Sequence, residues 1–248
     1  MTPPPSHVAL RASFEELSAA IAATIGVAVA APLPGEVFSL GDWSGGVAWS
    51  TIKVPLALAA LRADRPGARE LAVKAITLSD NSASERLWSL LGEPGDGARA
   101  VEAVVREAGD AVTIVESRRL RAGFTAFGQT RWALDAQARF AAQLPYLPGA
   151  AAVIELMRCI TYEQRWGLAA RSIAAKGGWG PGLAGEYLVR QFGVAPTESG
   201  HVGVALAAEV RNGVFRNGVE ALDAVTDWLV DRLPEVIPSC SGTTTFDT

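Results

Sequence analysis

The order of apolar and polar residues predicts strands near both ends of the chain. Apolar runs at 26–30 and 36–40, joined by a Pro/Gly turn, predict two strands. Apolar runs or alternation at 186–194 and 201–210 predict two more, and 171–176 is strand-like before a glycine-rich stretch. Together these segments predict one antiparallel sheet made from both ends of the chain.

The middle of the chain shows helical spacing of its apolar residues instead. Between the helices, 93–97 is predicted as a turn, and 112–128 is irregular and rich in arginine. The predicted helices cover 50–63, 69–78, 82–91, 98–107, 131–144, 150–159 and 218–233.

The predicted fold class is therefore α+β, with an antiparallel sheet, flanking helices and an inserted all-helical lobe. Residues 1–45 and 166–248 form a discontinuous α/β lobe in this prediction. Residues 46–165 form the helical lobe, and we expect the active site between the two lobes.

The apolar stretch at 17–33 has two interpretations. Small residues at 28–30 stand where a signal peptide would be cleaved, but acidic residues directly precede the stretch. A capping box at 13–16 predicts a helix at 14–23 instead. We favour the helix, which places the start of the folded unit near residue 13 and leaves no targeting segment or transmembrane helix in the chain.

Composition narrows the possible partners and cofactors. The chain has 248 residues, 49% of them apolar and 19% charged, with a net charge of −4. It has no strongly basic stripe, so nucleic acid and anionic membranes are not expected as partners. With only His7 and His201, and neither a G-x-S-x-G elbow nor a His/Cys cluster, no metal site and no cofactor are predicted.

Two cysteines, Cys159 and Cys240, leave a further question open. They do not form C-x-x-C, which excludes a redox or zinc motif of that kind. They either pair across the fold, which would suit an exported protein, or remain two buried free thiols.

Lysine is rare in this chain and therefore informative. Only Lys53, Lys74 and Lys176 are lysines among 22 basic residues. In Ser50-x-x-Lys53 the lysine follows a serine by one helical turn and faces the same side. A serine hydroxyl needs a base, and a lysine whose pKa is lowered by burial can be that base. The structural alternative is a serine N-cap followed by a surface lysine.

The tripeptide Ser79-Asp80-Asn81 lies between two predicted helices. Its structural interpretation is a polar turn, for which Asp and Asn are suited. Its functional interpretation gives the Ser79 hydroxyl a proton-relay role, while Asn81 holds Lys53 and a substrate amide.

A third motif, Lys176-Gly177-Gly178, ends a predicted strand. Two glycines let a ligand or another backbone lie close along the strand. Lys176 would place positive charge beside Ser79. The alternative is a bulge and turn, which glycine-rich strand ends often form.

These three motifs, in this order, resemble those of the penicillin-recognising serine hydrolases. That group comprises class A β-lactamases and penicillin-binding proteins, with signatures S-x-x-K, S-D-N and K-T-G. The resemblance covers nearly the whole chain. It implies that Ser50 is the acylated nucleophile, Lys53 its general base and Ser79 the proton shuttle. Asn81 would position groups, and Lys176 would support Ser79 and attract a substrate carboxylate.

The resemblance also implies how the substrate is held. The backbone N–H groups of Ser50 and Trp179 would form the oxyanion hole, and Gly177 and Gly178 would lie along the substrate. Position 177, however, is Gly where the family has Thr or Ser, whose hydroxyl binds the β-lactam carboxylate. Losing one charge-assisted hydrogen bond costs about 1.5–3 kcal/mol. Arg190 could bind the carboxylate from the next strand, depending on its register.

Two further departures from the family concern the walls of the cleft. Ser50 and Ser79 are 29 residues apart, about half the usual separation, so we expect a more open site. Class A β-lactamases deacylate with the glutamate of an E-x-x-L-N motif, whose Leu-Asn pair is missing here. Glu116 lies near the corresponding place and is either that base or an ion-pair partner of neighbouring arginines.

One apparent nucleotide motif is dismissed. Residues 180–185 match G-x-G-x-x-G but lead into a strand rather than a helix. Pro181 also lacks the N–H donor that a phosphate would need.

The sequence supports two functional hypotheses. The first is a monomeric serine hydrolase acting on a small-molecule or peptidoglycan-like amide or ester, and not an efficient β-lactamase. The second is a catalytically impaired relative whose cleft binds peptidoglycan or a protein partner. The family resemblance implies export to the cell envelope or beyond, while the lack of a signal peptide keeps a cytoplasmic location open.

Overall fold

The computed structural model of the protein describes residues 5–32, 35–198, 200–211 and 213–236. Within this part of the chain, the strands are β1 (Thr24–Ala30), β2 (Val37–Gly41), β3 (Gly45–Val47), β4 (Arg131–Ala133), β5 (Ala174–Pro181), β6 (Glu186–Thr197) and β7 (Gly200–Arg211). The helices are α1 (Pro5–Ala20), α2 (Lys53–Arg62), α3 (Ala68–Thr77), α4 (Asn81–Leu90), α5 (Pro94–Glu107), α6 (Leu134–Gln143), α7 (Ala150–Arg158) and α8 (Phe215–Val236).

Five strands form one antiparallel sheet in the order β2-β1-β7-β6-β5. The first two come from the N-terminal part of the chain and the other three from the C-terminal part, with most of the helices between them. This arrangement confirms the predicted fold class. The boundaries of the two lobes stay a prediction.

The sheet is covered on both faces, which explains the nearly unbroken apolar run of β1. Val27 and Val29 face a core shared with α1 and α8, whereas Ala28 and Ala30 face a core shared with α6. On the α6 face, a side chain at Gly203 would collide with the helix backbone. Glycine at this position therefore lets α6 lie directly on β7.

The first helix corrects the predicted start of the fold. It begins at Pro5, not at residue 14, and Ser13 lies inside it rather than capping it. Leu10 and Phe14 are buried against α8, so the apolar spacing that forms the helix extends upstream of the capping box. Ser13 Oγ accepts a hydrogen bond from Trp228 Nε1 at 2.9 Å, which joins α1 to α8.

Two other boundaries differ from prediction at glycine-rich sequence. The predicted turn at 93–97 is the first turn of α5, with Pro94 in the position that a helix start tolerates. The strand predicted to stop at Lys176 instead runs on through Pro181 as β5. The chain stays extended there because β6 pairs with β5 along its length, with Gly178 opposite Arg190.

Arg190 is a core residue, which overturns its possible role as a carboxylate-binding group. Its side chain is fully buried and donates to the carbonyl oxygens of Gly46, Val47 and Trp132 at 3.1–3.2 Å. It also donates to Gln137 Oε1 at 2.9 Å. Burial lowers the pKa of Arg190 to about 9, so the guanidinium is still charged at neutral pH. Arg190 thus fixes the β3–β4 ladder, which ends just before Ser50, against the sheet.

Replacing Arg190 with alanine is expected to lower the free energy of unfolding by about 3–5 kcal/mol. The change leaves several buried carbonyl groups without a donor and opens a cavity. Urea unfolding followed by circular dichroism measures the effect. Arg216→Ala is the control, because Arg216 is exposed on α8 and pairs with Glu220. We expect the control to stay within about 0.5 kcal/mol of the wild type, and a similarly small effect at Arg190 would contradict its structural role.

Candidate active site

Ser50 lies in a short 3-10 turn, Trp49–Ile52, that leads directly into α2. The preceding residue, Trp49, has a φ of 51°, a strained value for a bulky side chain that is characteristic of functional turns. Thr51 stabilises the turn through two hydrogen bonds. Its Oγ1 donates to Ala48 O at 2.6 Å and accepts from Gln137 Nε2 at 2.9 Å. The turn is therefore held rigidly where the predicted nucleophile sits.

Lys53, the first residue of α2, is buried, so it is not the surface lysine of the structural alternative. Its Nζ donates to Ser79 O at 2.6 Å and to Asn81 Oδ1 at 2.7 Å. Ser79 Oγ lies 3.3 Å from the same nitrogen. The structure thus brings the first two motifs into direct contact.

The protonation state of Lys53 follows from these surroundings. Burial lowers the pKa of Lys53 to about 7, and the charge of Asp80 opposes the shift only in part. A neutral amine has two N–H groups and one lone pair. Two of its neighbours are carbonyl oxygens that can only accept, and the third is a hydroxyl that can also donate. These contacts are compatible with the neutral form, in which two N–H groups donate to the carbonyl oxygens and the lone pair faces the Ser79 hydroxyl.

Lys176 approaches Ser79 from the sheet side. Its Nζ donates to Ser79 Oγ at 3.0 Å, to Gly177 O at 3.0 Å and to Gln164 Oε1 at 3.2 Å. The side chain is fully buried, and burial together with the charge of Lys53 lowers its pKa. The Ser79 hydroxyl consequently lies between two lysine nitrogens, accepting from one and able to donate to the other.

The turn at Ser79 is shaped to make these contacts. Ser79 has a φ of 55°, in the left-handed region. Asp80 caps α4 by accepting from the backbone N–H of Ala83 at 2.7 Å. This cap fixes the start of the helix, so Ser79 O and Asn81 Oδ1 are both presented to Lys53. The tripeptide is both the predicted turn and the partner of the lysine.

These residues adjoin a small cleft of about 150 Å3. Its lining combines predicted site residues with residues from the irregular segment 112–128, and comprises Trp49, Ser50, Ser79, Asn81, Phe124, Thr125, Gly128 and Trp179. The more open site expected from the short spacing of the first two motifs stays a prediction.

Gly178 brings β5 against the turn that carries Ser50. A Cβ at position 178 would lie 2.8 Å from Ala48 O and from the backbone nitrogen of Ser50. β5 is the edge strand of the sheet, so every second N–H along it points away from β6. Ser50 and Trp179, the predicted oxyanion-hole residues, both line the cleft at this junction.

Gly177 faces the opposite side of β5, where Trp166 fills the space that a side chain would need. A Cβ at position 177 would lie 2.6 Å from two carbons of the Trp166 ring. That ring is buried and packs edge-on against Trp179 and Phe215. The glycine that departs from the family pattern is therefore required by the packing of this tryptophan.

Sequence reasoning missed several residues of the site. Gln164 is buried and its Nε2 donates to Thr77 O at 3.1 Å, which turns its oxygen toward Lys176. Phe124, Thr125 and Gly128 lie in a segment without regular spacing. The clustering of arginines was the one signal in the sequence that pointed to this segment. One of these arginines, Arg121, lies over the Phe124 ring at 4.5 Å and donates to Pro181 O at 2.8 Å, which connects the segment to β5.

Glu116 is held in an ion pair, as its structural alternative predicts. Arg118 donates to Glu116 Oε1 from its Nε at 3.0 Å and from its backbone N–H at 2.8 Å. Hydrogen bonding to Arg118 lowers the pKa of Glu116. Glu116 is not among the residues that line the cleft.

Three further observations concern residues outside the cleft. Cys159 is exposed at the end of α7, contrary to the buried-thiol interpretation, and its pairing with Cys240 lies outside the described residues. Among the described residues, no cluster of His, Cys, Asp and Glu could hold a metal ion. Within the same part of the chain, no single helix has the length and apolar character needed to cross a membrane.

Comparison with solved structures defines the class of fold. A β-lactamase from Chitinophaga pinensis aligns with a TM-score of 0.72 and 16% identity, covering 91% of this chain and 99% of that one. The TLA-3 extended-spectrum β-lactamase aligns with a TM-score of 0.68 and 17% identity over 90% and 99% of the two chains. An ancestral class A β-lactamase aligns with a TM-score of 0.69 and 20% identity, covering 90% of this chain and 99% of that one.

The protein thus has the fold of class A β-lactamases. No protein-family model matches the chain, and no curated protein is detectably similar to it in sequence. At 16–20% identity these neighbours establish the architecture, and the chemistry has to be argued from the site itself.

Proposed function

We propose that the protein is a serine hydrolase that forms an acyl-enzyme at Ser50 on an ester or amide substrate. The observation that carries this proposal is the hydroxyl of Ser79, which lies between two buried lysine nitrogens and lines the same cleft as Ser50. Neither lysine forms an ion pair with a carboxylate in the described part of the chain. Burial lowers the pKa of Lys53 to about 7, so much of its amine is unprotonated near neutral pH and can accept a proton.

In the acylation step, Ser50 Oγ attacks the carbonyl carbon of the substrate and its proton passes to Lys53 Nζ. Backbone N–H groups of Ser50 and Trp179 stabilise the negative charge on the carbonyl oxygen. Ser79 then passes a proton from Lys53 to the leaving oxygen or nitrogen as its bond to carbon breaks. The leaving alcohol or amine departs protonated, and the acyl group remains on Ser50.

In the second step, water attacks the acyl-enzyme and releases the acid and free Ser50. The cleft lining contains no carboxylate to activate that water, and Glu116 is engaged with Arg118. Deacylation is therefore slow compared with acylation, and the acyl-enzyme accumulates. This separates the proposed activity from rapid β-lactam turnover.

Intact-mass spectrometry after incubation with p-nitrophenyl acetate tests the proposal. We expect one acetyl group per chain in the wild type at early times and none in Ser50→Ala. The released p-nitrophenol should show a burst equal to the enzyme concentration, followed by slower turnover. Labelling that persists in Ser50→Ala would assign the reaction to another residue. A wild type that neither reacts with this ester nor with a fluorophosphonate would favour the alternative of a binding protein.

A further inference from the structure

No residue that lines the cleft carries a positive charge. The eight residues that line it are aromatic, hydroxylic, amide or glycine, and none is charged. A substrate carboxylate inside such a site would need a cation or several strong donors to offset its loss of hydration. The lysines and arginines near the cleft therefore decide whether it can take an anionic substrate.

Lys176 has no donor left for a ligand. Even a protonated amine has only three N–H bonds, and the Nζ of Lys176 already has three protein acceptors at 3.0–3.2 Å. The side chain is also fully buried. A carboxylate could bind it only by displacing Ser79, Gln164 or Gly177 from their present contacts.

Arg190 and Arg121 both make contacts with the protein. Arg190 is buried under the β3–β4 ladder, where it holds backbone carbonyl groups. Arg121, at the rim, donates to Pro181 O and lies over the rings of Phe124 and Trp49. Arg121 itself is not among the residues that line the cleft.

Trp166 leaves no room on β5 for a side-chain hydroxyl at position 177, which could otherwise donate to a carboxylate. A serine or threonine at position 177 would supply a hydroxyl on β5, but its Cβ would lie 2.6 Å from the Trp166 ring. The ring is wedged between Trp179 and Phe215 and has little freedom to move. Trp166 thus keeps this section of β5 without a side-chain donor.

We infer that the cleft selects uncharged acyl donors with a short acyl chain and excludes those with a carboxylate near the scissile bond, with Trp166 as a specificity-determining residue. The inference rests on the proposed acyl-enzyme at Ser50. The volume of about 150 Å3 supports the short chain, because sites for drug-sized ligands span roughly 300–1,000 Å3.

A matched pair of aryl acetates tests the inference: 3-acetoxybenzoate and its methyl ester, which differ mainly in one negative charge near the scissile bond. The rate of each ester with hydroxide corrects for the different acidity of the two leaving phenols. We expect kcat/KM for the methyl ester to be at least about 10-fold higher, mainly through KM, once the rate of Ser50→Ala is subtracted. A factor of 10 corresponds to about 1.4 kcal/mol, the lower end of the value of one charge-assisted hydrogen bond. Equal or faster Ser50-dependent hydrolysis of the carboxylate overturns the inference and leaves the proposed function standing. Failure of both esters to react overturns the two together.

Variants at the tryptophan test the assigned cause. We expect Trp166→Ala combined with Gly177→Ser to lower KM for 3-acetoxybenzoate relative to KM for the methyl ester, so that the preference for the methyl ester falls several-fold. Trp166→Phe, which keeps a ring in place, is the matched control and should keep the preference. An unchanged ratio in a folded double variant would remove Trp166 from the explanation. If the double variant does not fold, the ratio in Trp166→Ala alone decides, because it frees the Gly177 backbone.

Discussion

Replacing Lys53 with alanine is expected to slow acylation of Ser50 by about 10²- to 10⁴-fold, the usual contribution of a general base. The amine is the group in the described structure that contacts both Ser79 and Asn81 and is buried enough to be neutral near pH 7. The burst of p-nitrophenol from p-nitrophenyl acetate measures the rate, and circular dichroism verifies that the variant folds.

Lys74→Ala is the matched control for this loss. Lys74 is exposed on α3 and pairs with Glu70 four residues earlier, so its removal should leave acylation unchanged. Retention of more than half of the wild-type rate in Lys53→Ala would contradict a role as base.

The pH dependence of acylation is a second test of Lys53 as the general base. Lys53 acts as a base only when unprotonated, and its pKa is about 7. The acylation rate of the wild type should therefore be low at pH 5, rise through pH 7 and level off above about pH 8. A rate that stays constant between pH 5 and pH 8 would exclude Lys53 as the base.

Replacing Gly178 with alanine is expected to lower kcat/KM by about 10²-fold, although the change adds only one methyl group. The new Cβ would lie 2.8 Å from both Ala48 O and the backbone nitrogen of Ser50, neither of which can rotate away. The strand and the nucleophile turn must move apart, and misplacement of reacting groups by about 1 Å costs this much. Crowding of the same backbone should also lower the free energy of unfolding by about 1–3 kcal/mol.

Steady-state kinetics with p-nitrophenyl acetate and urea unfolding measure the two effects of Gly178→Ala. Gly95→Ala in α5 is the control, because its Cβ would meet only the tip of the Arg99 side chain at 3.4 Å. The control should keep full activity. Normal kinetics in Gly178→Ala would mean that the contact between β5 and the Ser50 turn is not needed for catalysis.

The fold was predictable where apolar spacing reflects burial on both faces of the sheet. β1 and β7 carry nearly continuous apolar runs because helices cover the two sides of the sheet. Helix starts were less predictable, since Pro5 and Pro94 resemble loop residues in sequence but are tolerated in a first helical turn. The glycines of β5 resembled a turn and are extended because a neighbouring strand pairs with them.

The polar residues of the candidate site could be predicted from sequence motifs, whereas the residues that surround them could not. Ser50, Lys53 and Ser79 belong to motifs whose spacing is visible in the chain, and the structure brings them together. Gln164 acts through a contact with Lys176, and no local pattern in the sequence reveals it. The roles of the gathered residues stay predictions until the kinetics are measured.

The two buried lysines also link the site to the thermodynamics of folding. In the unfolded chain both amines have pKa values near 10.4, whereas in the native state the pKa of each is lowered and that of Lys53 is about 7. Between about pH 7 and pH 10 the unfolded chain therefore binds more protons, and native stability rises with pH across that interval. Below about pH 7 Lys53 is protonated in the native state although it forms no ion pair with a carboxylate. The contribution of Lys53 to native stability is therefore least favourable there. The same burial that makes Lys53 a base thus places maximum stability on the alkaline side of neutrality for this pair of residues.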